Sequence, residues 1–152
     1  MQLYVDWMGF MSYDLHGPWD TDVKTLGSKV RPQTDITEVQ RNMKPLWFGG
    51  VDPAKIVMGI TYYGRTYKLA NTSCGKTGWS FIAGEGGAPG ACTKFPGILS
   101  NREIKQLIED QGITPYFNET AMVKYFTYGG DSWVGYDDAQ TYGLKEPFAD
   151  EH

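Results

Sequence analysis

Tyr4-Val5-Asp6-Trp7-Met8-Gly9-Phe10-Met11-Ser12-Tyr13-Asp14-Leu15-His16-Gly17-Pro18-Trp19-Asp20 is an apolar, aromatic run that ends abruptly in Tyr-Asp and then in a Gly-Pro loop. Its length and scarcity of charge suit a strand covered on both faces, as in parallel sheets. A polar pair at the C-terminal end of such a strand lies where α/β barrels place their chemistry. A core strand followed by a Tyr-Asp turn accounts for this segment equally well.

Outward from that run, Asp35-Ile36-Thr37-Glu38 has the spacing of a capping box, and Ile36, Val39, Met43 and Leu46 or Trp47 fall on one helical face. Pro45 should kink or end this helix early, and Gly49-Gly50 supply the stop. Lys55 to Tyr63, rich in Ile, Val and Tyr, reads as the next strand. Strand, loop, helix and strand in this order form a βαβ unit, a piece of parallel sheet. From about Thr66 to Trp133 the texture changes to a Gly, Pro and Ser-rich stretch, one helix and short alternating strands. That helix starts at Ser100 with Glu103 three residues on, buries Ile104, Leu107 and Ile108, and stops at Gly112. Ala121 to Tyr128 and Ser132 to Tyr136, joined through Gly129-Gly130-Asp131, form a hairpin. Asp138 caps a further helix that the tail is expected to cut short.

The opening segment resembles the sixth barrel strand of glycoside hydrolase family 18, the chitinases and their chitin-binding relatives, in its Met-x-Tyr-Asp followed by His-Gly-x-Trp. Three further stretches resemble the same family in the right order. Val51 to Arg65, ending Tyr63-Gly64-Arg65, resembles the seventh strand and its signature. Gly97-Ile98-Leu99-Ser100-Asn101-Arg102-Glu103-Ile104 resembles the helix of the chitinase insertion domain, and Ser132-Trp133-Val134-Gly135-Tyr136-Asp137-Asp138 the strand leaving it. The resemblance reaches about residue 145 and is nearest to fungal members. It implies an α/β fold, a partial TIM (β/α)8 barrel holding about strands 6 and 7, with an inserted small α+β domain. The expected divisions are residues 1–65 for the barrel region, 66–133 for the insertion domain, and 134–152 for the start of a return to the barrel with a divergent tail.

A whole (β/α)8 barrel takes roughly 250 residues, so this chain of 152 is expected to be part of one, with Met1 a fragment edge or a mispredicted start. The family's general acid is the Glu closing an Asp-x-x-Asp-x-Asp-x-Glu motif, and no Asp in this chain begins that spacing. The tail from Gly143 departs from the family pattern, which would continue to an eighth strand carrying a Trp platform. A partial barrel exposes strand edges and apolar core, so the isolated chain is expected to aggregate or stay partly unfolded.

Family 18 enzymes use the substrate's acetamido oxygen as nucleophile, so the protein must orient an amide. The resemblance assigns Tyr13 to the hydroxyl that hydrogen-bonds the N-acetyl group and Asp14 to the carboxylate that keeps the acid protonated. Met11 would line the cleft floor, although core packing accounts for it equally well. Trp19 would offer a stacking face or anchor its loop. Tyr63 would line the cleft and Arg65 would bond sugar hydroxyls through its fixed fork of donors, unless it sits in a structural ion pair. Glu103 corresponds to an insertion-domain Glu that reaches the cleft, but it also holds the capping position. Trp133, Asp137 and Asp138 read as structural. Cys74 and Cys92 flank a Gly-rich loop whose closure by a disulfide would be worth roughly 3 kcal/mol, and two thiols can also stay free.

A net charge of −4 and a pI near 5.1 argue against nucleic acid as a partner. No apolar run approaches a membrane span, His16 and His152 form no metal constellation, and no cofactor motif is present. Asn71-Thr72-Ser73 and Asn118-Glu119-Thr120 are glycosylation sequons, and with the family resemblance they point to secretion. The expected function is part of a chitinase hydrolysing β-1,4 linkages between N-acetylglucosamine units with retention, monomeric in its full-length parent and bound to chitin or chitooligosaccharides. The isolated chain is expected to be inactive. A non-catalytic chitin-binding lectin or killer-toxin-like subunit is the alternative. An endoglycosidase acting on N-glycans fits the large insertion between Arg65 and Trp133 less well.

Overall fold

The computed structural model describes residues 2–151 and divides their strands between two sheets. β1 (Met8–Phe10) and β2 (Ile56–Met58) pair in parallel, Met8 with Ile56 and Phe10 with Met58. Parallel neighbours need a long crossover, and α1 (Ile36–Phe48) lies within it. Asp35 caps α1 by accepting the Thr37 amide at 2.9 Å. Glu38 does not complete the capping box; its carboxylate goes to His16 instead. Ile36, Val39 and Met43 are buried, and Trp47 rather than Leu46 joins them over Phe10, Ile56 and Met58. Pro45 does not end the helix. It removes the donor for the Arg41 carbonyl, but both residues lie on the exposed face, where water can serve that carbonyl.

β1 is shorter and barer than its apolar sequence suggests. Trp7 is 64% and Met11 71% exposed, and Val57 on β2 is exposed as well. The cause is the sheet's width: with two strands, each keeps one open edge and part of one open face. The second expected strand also stops at Met58, and the chain bends through Gly59–Tyr62 before pairing resumes.

The larger sheet is antiparallel and holds β3 (Tyr63–Lys68), β4 (Ile98–Ser100), β5 (Tyr116–Asn118), β6 (Val123–Tyr128) and β7 (Ser132–Tyr136), in the order β4-β3-β7-β6-β5. The expected boundaries after Arg65 and Trp133 fall inside β3 and β7, because these strands pair with each other next to the sheet's middle. Alternation sorts the side chains onto two faces. Tyr67, Tyr125 and Trp133 pack with Val30, Leu69 and Phe81 on one face; Leu99, Phe126, Val134 and Tyr136 pack with Ile104 on the other. Ile104 comes from α2 (Asn101–Gln111), which begins in a complete capping box between Ser100 and Glu103 and ends at Gly112 in the left-handed conformation. Gly64 is required here, since a Cβ would meet Val134 and Ile104 side chains at 2.7 and 2.8 Å.

Asp138 caps α3 (Ala139–Glu151) by accepting the Gln140 amide at 3.0 Å, and the helix runs past Pro147 rather than being cut short in the tail. A buried polar seam joins this helix to the end of β7 and to the segment that leads into α1. Asp137, just after β7, accepts from Lys145 Nζ at 2.7 Å and from the Thr34 hydroxyl at 2.6 Å, while Lys145 Nζ also donates to the Thr34 carbonyl at 2.8 Å. Burial pushes the Lys145 ammonium below its ordinary value, and the Asp137 carboxylate works against that. Removing either member would leave a buried charge alone, a loss of roughly 3–5 kcal/mol. Met1 and His152 lie outside the described residues; among the described ones, no cluster of His, Cys, Asp or Glu is placed to hold a metal, and no helix is long and apolar enough to cross a membrane.

The two sheets differ sharply in cover, so they should differ in local stability. Amide hydrogen exchange should find β6 and β7 the most protected strands, with Met8–Phe10 and Ile56–Met58 exchanging faster by at least about tenfold, a local opening easier by ~1.4 kcal/mol. Equal protection in both sheets would contradict this division.

Candidate functional site

Asp14 follows the end of β1 in the left-handed region, at φ 56°, a conformation an Asp tolerates better than most residues. That turn brings its carboxylate onto Arg65 of β3, which it meets in a fork: Nε donates to Oδ1 at 2.8 Å and Nη2 to Oδ2 at 2.9 Å. The guanidinium carbon lies 4.8 Å from the Trp19 ring centre and 5.3 Å from that of Tyr63. One cation thus organises a carboxylate and two aromatic faces. Burial, and then the nearby Asp14 carboxylate, push the Tyr63 phenol up to about 12, so it stays a neutral donor at physiological pH. Burial disfavours the Arg65 charge, but Asp14 outweighs it and holds Arg65 above its ordinary value.

The loop carrying Asp14 and Trp19 is held from behind. His16, buried, makes contacts through both ring nitrogens, Nδ1 with Asp20 at 2.7 Å and Nε2 with Glu38 at 2.6 Å. Gln33 ties the same region to the start of β3: its carbonyl accepts the Leu15 amide at 3.1 Å, and its side chain donates to the Tyr63 carbonyl at 2.9 Å. Gly17 leaves room for the Trp19 ring, which a Cβ would meet at 2.2 Å. The sequence alone, in which His16 stands only in the His-Gly-x-Trp stretch and forms no metal constellation, does not assign it this role. The four-residue step to Asp20 was the available signal.

Beside the cluster opens a cleft of about 480 Å³ lined by Pro18, Trp19, Asp22, Arg65, Phe95 and Pro96 among others. Trp19 is 42% exposed to it, so the ring both stacks on Arg65 and presents a face to solvent. An arrangement of planar aromatic faces around fixed donors and a carboxylate suits a ligand with apolar faces and hydroxyl or amide edges. Tyr13 lies apart from the pair, half-buried with its ring over Gly59 at the end of β2, where an added Cβ would sit 2.8 Å from the ring. Met11 is exposed.

Two expectations are corrected. Glu103 does not reach the cleft. Its Oε1 accepts the Cys92 and Thr93 amides at 2.7 and 2.9 Å, and its Oε2 accepts the Ser100 amide at 3.0 Å, leaving both oxygens committed to the helix start and the preceding loop. Burial alone would raise this carboxyl, but those donors and the Ser100 hydroxyl hold it down at about 2. Cys74 and Cys92 are both free thiols. Cys74 precedes Gly75, whose carbonyl accepts from Trp133 on one side of the large sheet, whereas Cys92 is tied through Glu103 to α2 on the other. Of the sequons, Asn71 is exposed, whereas Asn118 is half-buried and accepts the Ala121 amide at 3.1 Å.

Comparison with known proteins places this geometry in context. The model for glycosyl hydrolases family 18 matches residues 1–152. A secreted chitinase of Penicillium expansum is 28% identical over 148 residues, covering 87% of this chain and 10% of its own. The killer toxin subunits alpha/beta of Kluyveromyces lactis are 32% identical over 149 residues, covering 97% of this chain and 13% of their own. Among solved structures, a plant class V chitinase mutant from Cycas revoluta in complex with (GlcNAc)3 superposes with a TM-score of 0.79 at 27% identity, covering 99% of this chain and 40% of that one. The chain spans about a third or less of the length of the first curated relatives it matches.

Because Glu103 sits well below the ordinary carboxyl value of 4.5, its contribution to stability is complete above that pH and is lost as pH falls toward about 2. Glu103→Gln should lower stability at neutral pH by roughly 1–3 kcal/mol and flatten the acid limb in urea titrations across that window. A variant that loses stability as steeply with acid as the wild type would remove Glu103 from this role.

Proposed function

The chain belongs to glycosyl hydrolase family 18, and from that we propose that it supplies the substrate-side wall of a chitin-cleaving cleft. In this reading β1 and β2 are the sixth and seventh strands of a TIM barrel, and the five-stranded sheet with α2 is the insertion domain. The parent protein hydrolyses β-1,4 linkages between N-acetylglucosamine units with retention, the substrate's acetamide serving as nucleophile. Tyr13 positions that acetamide, Tyr63 and Arg65 bond sugar hydroxyls, Met11 and Trp19 offer apolar faces, and Asp14 supplies the carboxylate beside the acid. The observation that carries the reading is the gathering of Asp14, Trp19 and Tyr63 around Arg65, from segments 51 residues apart in the case of the ion pair, beside a cleft that Trp19 and Arg65 line. Secretion follows by analogy with the relative named a secreted chitinase.

No Asp-x-x-Asp-x-Asp-x-Glu motif occurs in these 152 residues, so the hydrolase reading requires an acid from elsewhere in the parent. A second reading, a chitin-binding or toxin-subunit protein without turnover, is favoured by one observation besides the toxin relative. Both Asp14 oxygens are already occupied by Arg65, and a carboxylate neutralised in this way does less to raise the pKa of a neighbouring acid. The parent protein separates the two: cleavage of chitotetraose supports the hydrolase, and tight binding without products supports the lectin.

For the chain itself, calorimetry should detect chitotetraose binding, and chromatography should find no shorter products. Trp19→Ala should weaken that binding by up to about tenfold, from the loss of a stacking face worth roughly 0.5–1.5 kcal/mol. Product release by the purified chain, or unchanged affinity in the variant, would contradict the assignment.

A further inference from the structure

His16 meets a carboxylate at each ring nitrogen, Asp20 at Nδ1 and Glu38 at Nε2. An ionised carboxylate only accepts hydrogen bonds, and a neutral imidazole has a single N–H to give. Contacts of 2.7 and 2.6 Å therefore need one proton more than these groups hold when the ring is neutral and both carboxyls are ionised. Arg31 Nη1 lies 3.7 Å from the Asp20 oxygen that faces the ring, which favours the ionised form of Asp20. Glu38 is partly open to solvent, where a carboxylate is well hydrated, and an imidazole is a stronger base than a carboxylate. We infer that His16 donates through both ring nitrogens, and that the extra proton holds the cleft loop against α1, so that binding at Trp19 weakens as the pH rises. The binding half of this inference rests on the reading of the cleft as a chitooligosaccharide site. To that reading it adds a positioning residue set behind the loop.

The loop is short enough for one proton to matter. His16 stands two residues past Asp14 and three before Trp19. The Leu15 amide ties the loop to the Gln33 carbonyl, and the His16–Glu38 contact ties it to α1. With the extra proton gone, a ring lone pair would face a carboxylate oxygen at the same short distance. His16 and Asp20 are both buried, so water cannot stand in for a donor lost between them. Glu38 is the partner that can turn away to water, and the loop then parts from α1. The closed arrangement binds the proton and the opened one does not, so the tie is complete at the acid end and is lost as the pH rises. Besides the two carboxylates, Arg31 and Tyr67 of β3 face this cluster, and the Tyr67 hydroxyl donates to the Arg31 carbonyl at 2.9 Å. Burial, and then the Asp20 charge, hold the Tyr67 phenol well above its ordinary value, so neither group loses its proton in this change.

Two measurements on the intact chain test this, calorimetric titration with chitotetraose and nitrogen-15 NMR of the histidine rings, each from about pH 5 to about pH 9, a range that spans histidine titration. His16→Gln identifies the His16 signals. Both ring nitrogens should carry protons at the acid end, and affinity should fall roughly three- to tenfold over the range in which one proton is lost. Glu38→Gln is the decisive variant, because a side-chain amide can donate to a neutral ring nitrogen as well as accept from a protonated one. It should flatten the pH profile of binding. A ring with one protonated nitrogen throughout, affinity independent of pH in the wild type, or a Glu38→Gln profile as steep as the wild type's would overturn the inference. If no chitotetraose binds at any pH, the reading of the cleft fails, and the nitrogen spectra still decide whether His16 donates twice.

Discussion

The fork between Asp14 and Arg65 is the constraint from which the site follows. Asp14 lies just beyond a parallel strand and Arg65 in one of the two longest strands of the antiparallel sheet, so their pair ties the two sheets together beside the cleft. It also explains the two aromatic rings. A guanidinium that gives two of its five donors to a carboxylate keeps the others and still offers its flat faces, and Trp19 and Tyr63 lie near them. The Tyr63 phenol in turn sits against the same carboxylate and stays protonated. A single charge pair therefore ties one loop to β3, adds its carboxylate to the burial that keeps one phenol protonated, and backs one exposed indole.

Around that pair the molecule spends its buried polar groups on joining segments. Asp137, Lys145 and Thr34 lock α3 to the start of α1, His16 with Asp20 and Glu38 locks the cleft loop to α1, and Gln33 locks that loop to β3. Buried ion pairs add little net stability compared with apolar packing, but they are directional, and a cleft assembled from distant segments needs direction. The small parallel sheet supplies little of this cohesion, having much exposed apolar surface and few neighbours. The five-stranded sheet, with an aromatic-rich core on one face and α2 on the other, is the rigid element against which the cleft is built.

Much of this was legible in the sequence. The Ser100–Glu103 capping box, the Gly112 stop, the hairpin turning at Gly129-Gly130 and the apolar face of α1 all depend on residues within a few positions of one another, and local rules read them correctly. Misreadings came where distant partners decide. Pro45 is tolerated because its helix face meets solvent, which periodicity alone does not weigh. Glu103 was divided between cleft and cap until the loop at Cys92 and Thr93 claimed its second oxygen. The cysteines looked paired by spacing, yet the sheet sets their anchors on opposite faces. Of the two partners of His16, Asp20 lies four residues on and was a local signal, whereas Glu38 lies 22 residues away and was not. The burial expected of the first strand failed because cover is a property of neighbours, and this strand has one.

The central claim is that Asp14 and Arg65 act as one unit in shaping the cleft. A double-mutant cycle on chitotetraose affinity, using Asp14→Ala, Arg65→Ala and the double variant, measures this directly. The account predicts strong coupling, with the double variant little worse than either single one and an interaction term of roughly 1–3 kcal/mol. Additive losses from the two substitutions would mean that each residue meets the sugar independently, and would contradict the claim that their pair organises the site.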